Sequence, residues 1–75
     1  MKSITLTWLD NPGAINQVDV SAPTLSAADR ADIEAIARKW GFLTGAAEWT
    51  APESSEAIQG FNNEARRDGF LVDWK

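Results

Sequence analysis

Residues 26–43 read SAADRADIEAIARKWGFL, and apolar side chains recur along this segment with helical spacing. Ile33, Ile36, Ala37 and Trp40 stand at positions i, i+3, i+4 and i+7. Residues at this spacing form one stripe along an α-helix, and a helix buries such a stripe against the rest of its domain. The segment therefore predicts a helix over residues 27–40.

Both ends of this predicted helix carry their own signals. Ser26 followed by Asp29 fits a capping box, in which each side chain bonds an amide that the first turn leaves without a partner. Gly41 can adopt the left-handed conformation that ends a helix, and Phe42 after it can fold back onto the last turn.

Alternating apolar and polar residues predict a β-hairpin before the helix. Ile4, Leu6 and Trp8 would lie on one side of a first strand, and residues 17–20 resume the alternation. Between them, residues 10–13 read DNPG, which fits a type II turn within a longer loop.

The second half of the chain predicts another helix and a final strand. Thr50 and Glu53 fit a capping box that would begin the helix, and Gly69 would end it. Residues 70–74 then read FLVDW, which is typical of a strand. Residues 42–49 contain Gly45 and fit either a short third strand or an irregular connector.

The ends of the two helices repeat each other at an offset of 28 residues. Residues 37–43 read ARKWGFL and residues 65–71 read ARRDGFL, and Ile33 falls opposite Phe61 at the same offset. The repeat is interpreted either as convergence on a common helix terminus or as duplication of a helix-to-strand unit. Both interpretations predict that each helix leads into an extended, inward-packing segment.

These elements predict one α+β domain over residues 1–75. It would have an N-terminal hairpin, two helices on one face of a three- to four-stranded sheet, and a C-terminal strand, in the order β-β-α-(β)-α-β. The expected core consists of Ile4, Leu6, Trp8, Val18, Val20, Ile33, Ile36, Trp40, Ile58, Phe61, Phe70 and Val72.

Composition excludes several classes of function. The chain has no Cys and no His, which removes the usual general base, the common nucleophile pairs and most transition-metal sites. We therefore expect no enzyme activity, no metal and no cofactor. No apolar run is long enough to span a membrane, and nothing resembles a signal peptide, so we expect a cytoplasmic protein without a membrane partner. Its net charge of −4 argues against a general nucleic-acid binder.

The leading hypothesis is a small acidic interaction protein that binds, and in its most concrete form inhibits, another macromolecular complex. Short, acidic, Cys-free α+β chains are frequent among proteins of phages and mobile elements. Some of these block host defence complexes by occupying a surface, as anti-CRISPR proteins do, and the likeness is one of size and composition alone. The alternatives are a nucleic-acid-binding module and a small structural subunit that is stable through self-association.

Two groups of residues are candidates for the binding surface. Trp49 lies where no period assigns it to the core, so it is expected to be an exposed aromatic at the centre of an interface. An acidic rim around it would favour a protein partner with a basic surface; its members are Glu48, Glu53 and Glu56. Trp74, one residue from the C-terminus, is a second candidate for an exposed aromatic in the binding surface. If both helices ran in the same direction, their basic ends would form one patch that suits phosphates; its members are Arg38, Lys39, Arg66 and Arg67.

Overall fold

A computed structural model describes residues 2–9, 13 and 15–75, and these form one α+β unit. The elements are β1 (Ser3–Trp8), β2 (Gln17–Ser21), α1 (Ala27–Lys39), β3 (Leu43–Thr44), β4 (Glu48–Thr50), α2 (Ser55–Arg67) and β5 (Leu71–Trp74). The predicted fold class is confirmed, with one addition. Residues 42–49 hold two short strands, so the sheet has five strands rather than three or four. The predicted turn at residues 10–13 lies outside the described residues except for Gly13.

The sheet is mixed and has the strand order β3-β4-β2-β1-β5. The predicted hairpin is confirmed, because β1 pairs antiparallel with β2 and places Leu6 opposite Val20. The last strand, β5, lies on the other side of β1 and pairs with it in parallel, with Ile4 opposite Val72. On the far side of β2, β4 pairs antiparallel with β2 and then with β3.

The pairing of the strands fixes the directions of the two helices. Both β2 and β3 run antiparallel to β4, so α1 connects two parallel strands. Likewise α2 connects β4 to β5, which run parallel to each other. Because β2 and β4 are antiparallel, α1 and α2 must run in opposite directions across the sheet.

Both helices begin and end in the same way. Ser26 and Ser54 are the N-caps, and the side-chain oxygen of each accepts a hydrogen bond from the amide three residues later, at 3.1 and 3.2 Å. The predicted start of α2 is therefore wrong. Thr50 belongs to β4, where it pairs with Gln17, and this pairing keeps it out of a helix.

The helix ends are Schellman motifs built around two left-handed glycines. Gly41 has φ 96° and Gly69 has φ 89°, a region that only glycine enters at little cost. The amides of Phe42 and Phe70 reach back to the carbonyls of the alanines five residues earlier, at 2.9 and 3.0 Å. Both phenylalanines are buried, which confirms that each helix leads into an inward-packing segment. The repeat at an offset of 28 residues therefore includes the N-caps as well as the residues that follow the glycine stops.

One face of the sheet and both helices enclose the core. Ile4, Leu6 and Val18 project from the sheet into the same cluster as Ile33 of α1 and Phe61 of α2. Eight of the twelve expected core residues are buried; these are Ile4, Leu6, Val18, Val20, Ile33, Ile36, Phe61 and Phe70. Trp40, Ile58 and Val72 are half-buried and pack at the margin of the core. Trp8 is exposed, so its expected place in the core is wrong.

The other face of the sheet carries no helix and is called the open face below. None of its described side chains is buried, which agrees with two helices packed on the opposite face. Strand register places these residues on it: Ser3, Thr5, Thr7, Gln17, Asp19, Ser21, Leu43, Glu48, Thr50, Leu71 and Asp73.

Candidate functional site

The expected exposure of Trp49 is wrong, because its side chain is only 1% exposed. Trp49 lies in β4 opposite Val18 and projects into the core. Its ring packs edge-on against Phe42 and Phe61, with centroids 5.9 and 6.0 Å apart. Its indole N–H is buried and has no hydrogen-bond partner among the described residues. Trp49 therefore supports the core and cannot be the exposed centre of an interface.

The acidic residues expected around Trp49 do not surround it. Glu48 precedes Trp49 in β4 and so projects from the open face, on the other side of the sheet. Glu53 and Glu56 are exposed at the start of α2, one on each side of the N-cap Ser54. These three carboxylates therefore do not form a rim around one aromatic side chain.

Trp74, the second aromatic candidate, is half-buried and held at two points. Its indole N–H donates a hydrogen bond of 2.7 Å to Oδ1 of Asn62, a buried polar residue of α2. Its ring stacks on that of Trp8, with centroids 5.2 Å apart and an angle of 28° between the planes. Trp74 thus connects the core to a ring at the surface.

Trp8 is the exposed member of this stack, with 43% of its side-chain surface accessible. It follows the inward alternation of Ile4 and Leu6, but it stands at the end of β1. There its ring packs on the outer side of the Trp74 ring. Trp74 in turn is hydrogen-bonded to Asn62 of α2. The alternation in the sequence predicted the correct face of the sheet for Trp8, the one that carries Ile4 and Leu6. It did not show that Trp8 lies at the margin of that face, where its side chain stays exposed. We call the two residues the Trp8–Trp74 stack.

The four basic residues at the helix ends do not form the expected patch. That expectation required both helices to run in the same direction, and they run in opposite directions. Three of the cations are also engaged locally: Arg38 donates to the Thr44 hydroxyl at 3.0 Å, Lys39 to Glu64 at 2.7 Å, and Arg66 to the Val72 carbonyl at 3.4 Å. The premise of parallel helices on which the patch was expected is therefore wrong, although the charges of Lys39 and Arg67 both act on the Glu64 carboxyl and lower its pKa.

Glu64 receives two hydrogen bonds from α1, where Lys39 and Trp40 end the helix. The Lys39 ammonium lies 2.7 Å from Oε1, and the Trp40 indole N–H donates to the same oxygen at 3.1 Å. The Lys39 hydrogen bond is the largest cause that holds the pKa of the Glu64 carboxyl below its usual value, with partial desolvation acting the other way. These two hydrogen bonds hold α1 against α2, so Lys39, Trp40 and Glu64 have a structural role.

The open face carries acidic residues without ion pairs in the described part of the chain. Asp19 and Glu48 stand directly opposite each other on β2 and β4, and Asp73 lies on β5. Like charges directly opposite on neighbouring strands destabilise a sheet. The two ion pairs found among the described residues, Arg30–Glu34 and Lys39–Glu64, do not involve this face.

Two features are absent from the described residues. These residues contain no group of three or more acidic, His or Cys side chains placed to hold a metal ion. Neither helix has the length and apolar character that crossing a membrane requires.

Comparison with protein-family models, with curated proteins and with solved structures finds no match for this chain. Its function is therefore argued from its own residues.

Proposed function

We propose that this chain is a non-enzymatic interaction protein that binds another protein through a surface centred on Trp8. The observation that carries the proposal is the partly exposed ring of Trp8, held against Trp74. Tryptophan is enriched among the few residues that dominate the free energy of protein–protein binding.

The Trp8–Trp74 stack is suited to this role because it is fixed before a partner arrives. Trp8 rests on Trp74, and Trp74 is tied to Asn62 by a hydrogen bond of 2.7 Å. A side chain that is already held loses little conformational freedom on binding, so more of the contact energy appears as affinity.

Charge supports a partner with a basic surface. The chain has a net charge of −4. Asp19, Glu48 and Asp73 project from the open face, on the side of the sheet opposite Trp8, so they act on the approach of a partner rather than in contact with it. Complementary charges speed the encounter of two proteins and select against wrong partners. The most concrete form of the proposal is a cytoplasmic inhibitor that occupies a surface of a larger complex.

The test is affinity capture from the cells in which the gene naturally occurs, followed by mass spectrometry. The wild-type chain is compared with Trp8→Ala, which removes the ring, and with Trp8→Phe, which keeps an aromatic ring on Trp74. We expect Trp8→Ala to weaken capture of a defined partner by about 2 kcal/mol or more, and Trp8→Phe to retain it.

The melting temperature of each variant is measured in parallel, so that loss of the fold is recognised. Capture of the same proteins, in the same amounts, by wild type and a folded Trp8→Ala variant would contradict the proposal.

A further inference from the structure

The outer edge of the sheet at β5 presents backbone groups that point away from the domain. The amides of Leu71 and Lys75 donate to carbonyls of the β1 side, at 2.7 and 2.8 Å. Because successive residues of a strand direct their backbone groups to opposite sides, those of Val72 and Trp74 point outward. The strand order confirms that no strand of the described sheet covers this edge.

The outward groups at this edge are weakly protected. Among the described residues, the Val72 carbonyl accepts a hydrogen bond from Arg66 at 3.4 Å, which is at the long limit for such bonds. Folded proteins shield an exposed edge with a bulge, a proline, a covering element, a short strand or charged side chains. In the part of the chain that the structure describes, β5 is short, with four residues, and Arg66 reaches its edge, but the strand has no proline and its register with β1 is unbroken.

A groove of about 530 Å³ lies over the β1–β5 pair and reaches the end of α2. Ser3 and Thr5 of β1 line it together with Leu71 and Asp73 of β5, and Arg66 lines its helix end. The groove therefore adjoins β5 but is not confined to the outer edge of that strand. Leu71, at 52% exposure, adds apolar surface to it.

The charges beside β5 lie on opposite faces of the sheet. Arg66 belongs to α2, which packs on the helix side, and its guanidinium reaches the edge beside the Val72 carbonyl. Asp73 projects from the open face, since it shares the face of its register partner Thr5. An added strand would place consecutive side chains on these two faces in turn.

We propose that β5 accepts an extended segment of a partner protein as a sixth strand, and that this segment carries a basic and an acidic residue side by side. The basic side chain lies opposite Asp73 on the open face, and the acidic one lies opposite Val72, within reach of Arg66. The backbone of the segment bonds the outward groups of Val72 and Trp74, in the manner of β-strand addition. This inference rests on the proposed function, because it specifies how the partner binds.

A second copy of this chain fits the edge less well. Two copies of β5 could pair antiparallel through the outward groups of Val72 and Trp74. Asp73 of one copy would then lie directly opposite Asp73 of the other. Two carboxylates at that distance repel each other. A different partner strand with a basic residue at that position avoids the repulsion.

The experiment is selection of a displayed library of short random linear peptides on the purified full-length chain. We expect the enriched peptides to share a β-forming core with adjacent basic and acidic residues. Val72→Pro removes an outward amide without removing a bond to β1, and should reduce binding of the enriched peptides about tenfold. Val72→Thr is the matched control, because it keeps the amide and the β-branched shape, and it should bind them like wild type.

A second variant keeps the test decisive if Val72→Pro does not fold. Selection on Asp73→Lys should enrich peptides that have lost the basic residue, and should reduce binding of the original peptides about fivefold. The proposal is overturned if no peptide is enriched, if the enriched peptides lack the charge pair, or if Asp73→Lys selects the same sequences.

The cellular partner distinguishes this inference from the proposed function. If Val72→Pro captures the partner as wild type does while Trp8→Ala does not, the partner binds at the Trp8–Trp74 stack and the sixth-strand proposal is wrong. Loss of the partner with both folded variants supports both proposals.

Discussion

The ring of Trp40 occupies the space that a side chain at position 60 would need. A Cβ atom built on Gly60 would stand 2.6 Å from Cη2 of Trp40, closer than such atoms approach in real structures. The ring has little freedom to withdraw, because its indole N–H is bonded to Glu64 and its other side packs against the core. The glycine in the middle of α2 is thus a contact point between the two helices.

We therefore expect Gly60→Ala to destabilise the protein, although alanine is the better helix former by about 1 kcal/mol. Overpacking typically costs about 1–3 kcal/mol, which exceeds that gain. Denaturant unfolding measures the difference. Gly13→Ala is the control, since a Cβ at Gly13 meets no atom of the described residues within 4 Å. A Gly60→Ala variant more stable than wild type would contradict the proposed contact.

Trp49→Ala should cost about 3–5 kcal/mol of stability, as expected when a large buried aromatic side chain is removed from a core. Trp49 is buried and packs edge-on against Phe42 and Phe61, which would lose these contacts. Thermal and denaturant unfolding provide the measurement. Glu48→Ala is the matched control, because it changes the neighbouring residue of β4 on the open face. An unchanged melting temperature for Trp49→Ala would show that the ring does not support the core.

Glu64 gives a prediction about pH. The hydrogen bond from Lys39 lowers the pKa of its carboxyl in the folded state from the usual 4.5. A group with a depressed folded pKa contributes stability above its unfolded pKa and loses it as the pH falls through the folded pKa. Glu64→Gln should therefore be less stable than wild type at neutral pH, and the difference should shrink as the pH falls below 4.5.

Denaturant unfolding at several pH values tests this behaviour. Glu53→Gln makes the same change in charge at an exposed residue that belongs to neither ion pair found among the described residues. Its stability difference from wild type should vary less with pH. A Glu64→Gln difference that is constant across the acid range would contradict the role of the Lys39 bond.

Local sequence signals predicted much of the fold. The glycine stops, the basic last turns and the apolar residues after them were sufficient to identify both helix ends, and Phe42 and Phe70 are buried as the pattern implied. These features depend on contacts within a few residues, which a sequence displays directly. The alternation in β1 and β2 was equally local.

The errors concern positions that distant contacts determine. Trp49 lies in a strand of three residues, too short to show a period, and its burial follows from pairing with Val18 far earlier in the chain. Thr50 matched a capping box, but it lies in β4, where it pairs with Gln17 of β2. Trp8 was assigned to the correct face, but its exposure depends on where the helices end above the sheet. The basic patch failed for a similar reason, because strand pairing set the helix directions.

The position of β1 between β2 and β5 has a consequence for the order in which the protein folds. The β1–β2 hairpin and the two helices depend on nearby residues, whereas β5 must return across almost the whole described chain to pair with β1. Contacts between distant residues form late and slow the reaction. While β5 is undocked, β1 has an unpaired edge and the ring of Trp8 has no partner to stack on. Docking of the last strand therefore covers a strand edge and an aromatic ring at once, and both are features that favour aggregation when they are exposed.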